Sequence, residues 1–323
     1  MIGQKIGVLT IENLKDKNIW TGRTDEDPLS LRYHQVVQLQ EIHQLSHREN
    51  RGFSIIGFQC DEGVRRNQGR VGAAHGPNAI RKLLASIPYT LPANVQTVDV
   101  GNVTCEGNAL EEAQQQLGQQ LTSLFNKQYT PIILGGGHET FYGHYLGARE
   151  AVGGEASIGM INIDAHFDMR VDQTPSSGTM FQQILSEDSK AGYLCLGIQQ
   201  LGNTKTLFDE AERHQCQYVL EEDIKNDQTF KIIDQFTSNH DHVIVTLCTD
   251  SIVSTAAPGV SAPSPFGLEP KVVRNLLRHI VAKQNTRSFD ISEVNPKLDQ
   301  NDQTVRLAAY LVADVMHHFH REK

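Results

Sequence analysis

The stretch Ile161-Asn162-Ile163-Asp164-Ala165-His166-Phe167-Asp168-Met169-Arg170 concentrates more potential chemistry than any other part of the chain. An apolar run with the character of a buried strand ends in Asp164, His166 and Asp168, metal-type ligands at every second position. Side chains alternate across a strand, so these would project from one side wherever the extended conformation persists. Carboxylates and an imidazole on one side make a site for a divalent cation. A buried strand has little other use for them, because an unpaired buried charge costs on the order of several kcal/mol.

Other ligand-type residues follow apolar runs in the same way. Gly135-Gly136-Gly137-His138-Glu139 follows Ile132-Ile133-Leu134. The glycines permit an abrupt turn and close backbone approach. His138 is then either a ligand or a hydrogen-bonded, capping histidine, and the Asp164 motif favours the ligand. In Val245-Thr246-Leu247-Cys248-Thr249-Asp250, alternation puts Cys248 and Asp250 on one side. Asp250 reads as a further ligand or as the cap of a turn. Donors of this kind without zinc-finger spacing suit Mn²⁺ better than structural zinc. Their number favours two ions sharing carboxylates, roughly 3.5–4 Å apart, which would bind one water and acidify it to hydroxide near neutral pH. Gly135-Gly136-Gly137 fits neither the Walker nor the dinucleotide spacing.

The elements that must position these residues alternate along the chain. Strands are expected at Phe53–Gln59, Val95–Val103, Pro131–Leu134, Ser157–Ile163, Gly192–Ile198, Gln217–Val219, His242–Cys248 and Ser288–Ile291. Helical patterns between them include Pro77–Ile87, Ala109–Asn126, Thr204–His214 and Glu269–Val281. Such alternation implies parallel βαβ units and a sheet covered on both faces, an α/β fold. Each polar motif follows a strand, and open α/β sheets bind ligands outside the carboxyl ends of their strands. Distant motifs therefore converge on one crevice. No linker or repeat is visible, so residues 1–323 read as a single domain. Residues 1–50, with Trp20 and a helix expected from Pro28 to His47, read as an N-terminal extension.

Composition narrows the function. A net charge of -9 disfavours nucleic acid and anionic membrane as partners. Met1-Ile2-Gly3-Gln4-Lys5 does not lead into a signal-peptide core, and no run of about 18 apolar residues suggests a membrane span. Cys60, Cys105, Cys195, Cys216 and Cys248 are odd in number and match no zinc spacing, which fits a reduced, cytoplasmic compartment.

Taken together, the Gly-Gly-Gly-His-Glu, Asp-Ala-His-Phe-Asp, Asp250 with Pro258-Gly259, and Glu293-Val294-Asn295-Pro296 segments resemble the ureohydrolase superfamily of arginase and agmatinase, in the family's order, from about residue 53 onward. Four further segments most resemble its formimidoylglutamase branch. They are Trp20–Arg23 with Arg32–Gln35, Gly63–Gly72, Ser176–Thr179 and Ala257–Pro263. The resemblance implies a three-layer α/β/α fold with a mainly parallel sheet, a homo-oligomer and a binuclear Mn²⁺ centre. It carries the ligand role onto His138, Asp164, His166, Asp168 and Asp250. The family's sixth ligand is an aspartate two residues before Asp250, where this chain has Cys248. Cys248 is kept as a weak ligand or near neighbour, being softer than a carboxylate. The histidine that arginases place near substrate is also missing, since the matching segment reads Ser177-Gly178-Thr179-Met180-Phe181.

The implied reaction is hydrolysis of N-formimino-L-glutamate to glutamate and formamide in histidine degradation, with metal-bound hydroxide attacking the formimino carbon. Asp168 would shuttle a proton to the leaving amine, and Glu293 would orient the cationic formimino group unless it is only an N-cap carboxylate. The dianionic substrate needs fixed positive charge, and Arg forks pair with carboxylates. Arg170 is the first candidate, then Asn67 and Arg70 with Ser177. Arg65 and Arg66 share the same loop, and His34, Arg23 and Asn203 are weaker candidates. Cys60 and Cys248 both follow strands and could form an oxidisable pair or remain separate thiols. An agmatinase-like or guanidino-acid hydrolase releasing urea, and a non-catalytic relative, are the competing readings.

Overall fold

The structure, a computed structural model, describes residues 19–27, 29–49 and 52–320. The leaderless start expected at Met1–Lys5 lies outside the described residues. Each expected strand forms, with ends moved by a residue or two. In chain order the strands are β1 (Gln38–Leu39), β2 (Gly52–Gln59), β3 (Gln96–Thr104), β4 (Tyr129–Leu134), β5 (Ile158–Ile163), β6 (Ala191–Ile198), β7 (Gln217–Leu220), β8 (His242–Cys248) and β9 (Thr286–Ser292). The helices are α1 (Tyr33–Val36), α2 (Glu62–Arg66), α3 (Gly76–Leu84), α4 (Leu110–Asn126), α5 (Thr140–Val152), α6 (Met180–Glu187), α7 (Lys205–Arg213), α8 (Asn226–Ser238), α9 (Pro270–Val281) and α10 (Gln303–His318).

The strands form one sheet in the order β1-β3-β2-β4-β9-β8-β5-β6-β7, with every neighbouring pair parallel. Helices cover both faces, so the inner strands are buried on both sides, as in β5, where every residue is buried. Alternation divides the core in two. Ile161 and Ile163 join the side covered by α3, α8, α9 and α10. Ile158 and Met160 join the side covered by α4, α5, α6 and α7. Burying each such side chain contributes roughly 1.5–3 kcal/mol.

The register aligns the strand ends. Leu134, Ile291, Leu247, Ile163 and Leu196 are successive partners across β4, β9, β8, β5 and β6. The residues just beyond this row therefore emerge side by side at one edge, where the polar motifs begin.

The helix expected over Pro28–His47 is corrected. Pro28 lies outside the described residues. The rest forms only α1, β1 and a short 3₁₀ turn at Ile42–Gln44. Its backbone donors go to distant carbonyls instead, Tyr33 to Ile87, His34 to Ala85 and Gln40 to Asp99. Trp20 donates to Asp99 at 2.8 Å, and Asp99 is fully buried in an ion pair with Arg81. The described part of the first fifty residues is thus tied to the same sheet.

Candidate active site

β5 ends at Ile163, so Asp164, His166 and Asp168 are not aligned by strand alternation. The irregular chain beyond the strand is held by specific bonds. Asn203 accepts from the Phe167 N–H at 3.0 Å and donates to the carbonyls of Ala165 and Gln199. Asp164 accepts from the His166 N–H at 2.9 Å and from the Asn162 amide at 3.1 Å. Asp168 has φ +50°. Left-handed backbone is unusual for a residue with a Cβ and costs about 1–3 kcal/mol. Glu293 shares this feature at φ +67°. Strain at both residues is of the kind that clusters at functional sites.

His138 arrives through the triple glycine. A Cβ on Gly136 would lie 1.7 Å from the Cys60 carbonyl oxygen, so only glycine fits there. The Gly137 N–H donates to that carbonyl and the His138 N–H donates to Glu293 at 2.9 Å. His138 Nδ1 lies 2.8 Å from Asp168 and 3.1 Å from Asp164. His166 Nδ1 lies 3.3 Å from Asp250 and 3.6 Å from the other Asp164 oxygen. Two donor groups result, His138–Asp164–Cys248 and Asp164–His166–Asp250, each with its atoms within 4.8 Å of one another. Asp164 belongs to both, one oxygen toward each histidine, as a carboxylate shared by two ions would. β8 ends at Cys248, and the 3₁₀ turn Thr249–Ser251 brings Asp250 back so that the Cys248 thiol donates to it at 2.9 Å.

Proton affinities reflect crowded, buried charge. Burial pushes Asp168 up to about 6, helped by the negative Asp164. Burial and then the Glu139 carboxylate push Glu293 well above the usual range. Burial raises the Cys248 thiol, with Asp164 adding to it. Asp164 is held well below the ordinary range despite its burial, because His138 and His166 both bond to it. Among the described residues no lysine or arginine bonds to Asp164, Asp168, Asp250 or Glu293, and Glu293 Oε2 is buried without a partner. Carboxylates packed this way call for external positive charge. Oxygen and imidazole donors fit a divalent ion of the Mn²⁺ type, with Cys248 the softer exception.

Above these residues opens a cavity of about 340 Å³, lined by His138, His166, Asp168, Cys248, Asp250 and Glu293 below and by Asn67, Arg70, Arg170 and Ser177 around it. Asn67 donates to Ser177 at 3.3 Å. The Arg170 backbone is fixed by the Gly178 carbonyl at 2.8 Å, while its guanidinium has no partner among the described residues. Arg70 is at the cavity but is otherwise engaged, donating to the carbonyls of Ser261 and Val260 at 2.9 and 2.8 Å.

Several expected residues lie elsewhere. Arg65 and Arg66 both turn to Glu62, and Arg66 also reaches Glu111 at 2.6 Å. Arg23 pairs with Asp25, and His34 bonds to the Ala85 carbonyl, neither of them at the cavity. Asn203 supports the loop rather than facing substrate. Cys60 does not pair with Cys248, since its thiol lies beside Cys105 at a separate cavity. The register explains this, with Gln59 opposite Thr104 on adjacent strands. Sequence reasoning passed over Ser261 and Gln68 as lining residues, although both lie in segments that carried the resemblance.

Residues 51–318 match the family model described as "Arginase family". The chain belongs to the arginase family. It is 54% identical over 314 residues to a formimidoylglutamase from Geobacillus sp. (strain WCH70), covering 95% of this chain and 97% of the relative. A formimidoylglutamase from Lysinibacillus sphaericus (strain C3-41) is 49% identical, covering 94% and 96%. The fold is shared with the crystal structure of formimidoylglutamase from Bacillus subtilis, with TM-score 0.81, 20% identity and 92% and 94% of the two chains covered. It is shared also with Trypanosoma cruzi formiminoglutamase with Mn²⁺, with TM-score 0.76, 24% identity and 88% and 99% covered. Among the described residues no helix is long and apolar enough to cross a membrane.

Proposed function

We propose that this protein is a Mn²⁺-dependent formimidoylglutamase that hydrolyses N-formimino-L-glutamate to L-glutamate and formamide in histidine degradation. One observation carries the reading. The cavity is polarised, with carboxylates and imidazoles on its floor and the unpaired Arg170 at its rim beside Asn67 and Ser177. A substrate with a cationic amidine at one end and carboxylates at the other matches that polarity. The names of the relatives agree with it. Cationic agmatine would have no use for Arg170.

His138, Asp164, His166, Asp168, Asp250 and Cys248 would hold two ions. When bound, such a pair supplies water acidified enough to attack near neutral pH. Glu293, which lines the cavity, orients the formimino group toward attack at the amidine carbon. Asp168, which lines the cavity floor, returns the proton to the glutamate amine as the C–N bond breaks. Arg170 pairs with a substrate carboxylate, and Asn67 and Ser177 donate hydrogen bonds to it. We read the chain as one domain with residues 1–50 as its N-terminal extension, acting as a homo-oligomer in the cytoplasm.

The test is hydrolysis by metal-stripped protein reloaded with Mn²⁺ under reducing conditions. Mn²⁺-dependent formamide release is the expected outcome. Urea release from a guanidino acid would retain the metals and overturn the substrate. Bound metal without turnover of either compound would overturn the enzyme reading.

A further inference from the structure

Beneath His138 runs a chain of buried polar side chains that the proposed reaction does not use. His138 Nδ1 faces Asp164 and Asp168, while Nε2 lies 3.0 Å from the Thr246 hydroxyl. Thr246 donates to Asp290 Oδ1 at 2.7 Å, and Ser292 donates to the same oxygen at 3.2 Å. Asp290 Oδ2 lies 2.7 Å from His144 Nδ1, and His144 Nε2 lies 2.5 Å from the Ser288 hydroxyl. Thr246, Asp290, His144, Ser288 and Ser292 are all 0% exposed. Thr246 and Asp290 are register partners on β8 and β9, and His144 comes from α5 behind them.

Such a network has no evident use as packing. Apolar residues of the same shape often replace buried polar networks at little or no loss of stability. Its direction, however, has a chemical consequence. A hydroxyl has one hydrogen, and Thr246 gives it to Asp290. Toward His138 the Thr246 oxygen can then only accept. Once an ion takes the place of the Nδ1 proton that faces Asp164 and Asp168 here, His138 must keep its remaining proton on Nε2, which would leave the Nδ1 lone pair to that ion. That is the tautomer a metal ligand needs, and partners of this kind orient ligating histidines.

Resting on the metalloenzyme reading above, we propose that Asp290, acting through Thr246, sets the tautomer and ring orientation of His138. His144 and Ser288 hold Asp290 in place. Thr246 and Asp290 are positioning residues, since neither reaches the cavity.

The test is Mn²⁺ binding by metal-stripped full-length protein, measured by equilibrium dialysis and calorimetry. Thr246→Val keeps the shape and removes the hydroxyl. It should weaken one of the two Mn²⁺ sites by about 10–100-fold. Thr246→Ser should bind as the unaltered protein does. Asp290→Asn offers an amide donor that lets Thr246 turn its hydrogen toward His138, and it should weaken the same site. Activity of both weakened variants should recover at saturating Mn²⁺, which loss of structure would not allow. If Thr246→Val does not fold by circular dichroism, Asp290→Asn against Thr246→Ser decides. Two Mn²⁺ bound with undiminished affinity by Thr246→Val or Asp290→Asn would overturn the relay alone. No Mn²⁺ bound by the unaltered protein would overturn the metalloenzyme reading and the relay with it.

Discussion

The floor and the rim of the cavity are built by different means. Floor residues follow β4, β5, β8 and β9, whose ends the register lays side by side. The strand each one follows brings it to the crevice, and after β5 the turn is fixed by Asn203. The rim comes from the Gly63–Gly72 loop and the Arg170–Gly178 segment, whose conformations depend on partners far away in the chain. Arg70 is held by Val260 and Ser261 and Arg66 by Glu111, while Arg65 turns back to nearby Glu62. Spacing along the chain is therefore a good guide to the floor and a poor one to the rim, where neighbouring arginines take unrelated partners.

Substitutions can break this division. The largest effects belong to the floor. Asp168→Ala should lower kcat by about 10²–10⁴-fold, the span of a lost acid–base group, in assays of formamide release. An effect under tenfold would remove Asp168 from the chemistry. Next comes Arg170→Ala at the rim. Loss of a charged hydrogen bond worth about 1.5–3 kcal/mol should raise KM by about 10–100-fold with little change in kcat. Arg65→Ala should leave both constants unchanged. If instead Arg65 moved KM and Arg170 did not, the rim would be wrongly drawn.

A smaller effect sharpens the role of Arg70. Arg70→Ala should destabilise the protein by about 1 kcal/mol through the lost carbonyl contacts, seen as a lower Tm. A change in KM as large as that of Arg170→Ala would show that Arg70 also contacts substrate. The smallest effect is at Glu62, where the bond from Arg65 comes first, with Arg66 adding to it, in holding the carboxyl below its usual range against burial. A depressed pKa in the folded state contributes stability above the unfolded value and loses it as pH falls through the folded value. The Tm gap between the unaltered protein and Glu62→Gln should therefore shrink as pH drops below the ordinary carboxylate range. A gap independent of pH would mean that the Glu62 charge does not anchor α2.

Legibility in the sequence followed the same division. Short continuous runs of apolar, β-branched residues located every strand of the inner sheet, because burial on both faces leaves a composition that few other structures share. The two-residue β1 has no such signature, and its place at the sheet edge depends on pairing with β3. The Pro28–His47 segment misled because its polar residues permit a helix that tertiary hydrogen bonds override. The convergence of Asp164, His166 and Asp168 was expected for the wrong reason. Alternation stops at Ile163, and Asn203 with a left-handed Asp168 completes the turn.

Residue types and their spacing were enough to establish an α/β sheet and to point to ligand-type side chains at its carboxyl edge. Those features depend on local periodicity and on the chemistry of single side chains, which the order of residues carries directly. The partner of each arginine, the placement of Cys60 beside Cys105 rather than near Cys248, and the buried run from His138 through Thr246 to Asp290 and His144 were decided by the tertiary structure. Each joins groups from separate strands or loops. Strand order, register and hydrogen-bond direction become definite only when the whole sheet has closed around them.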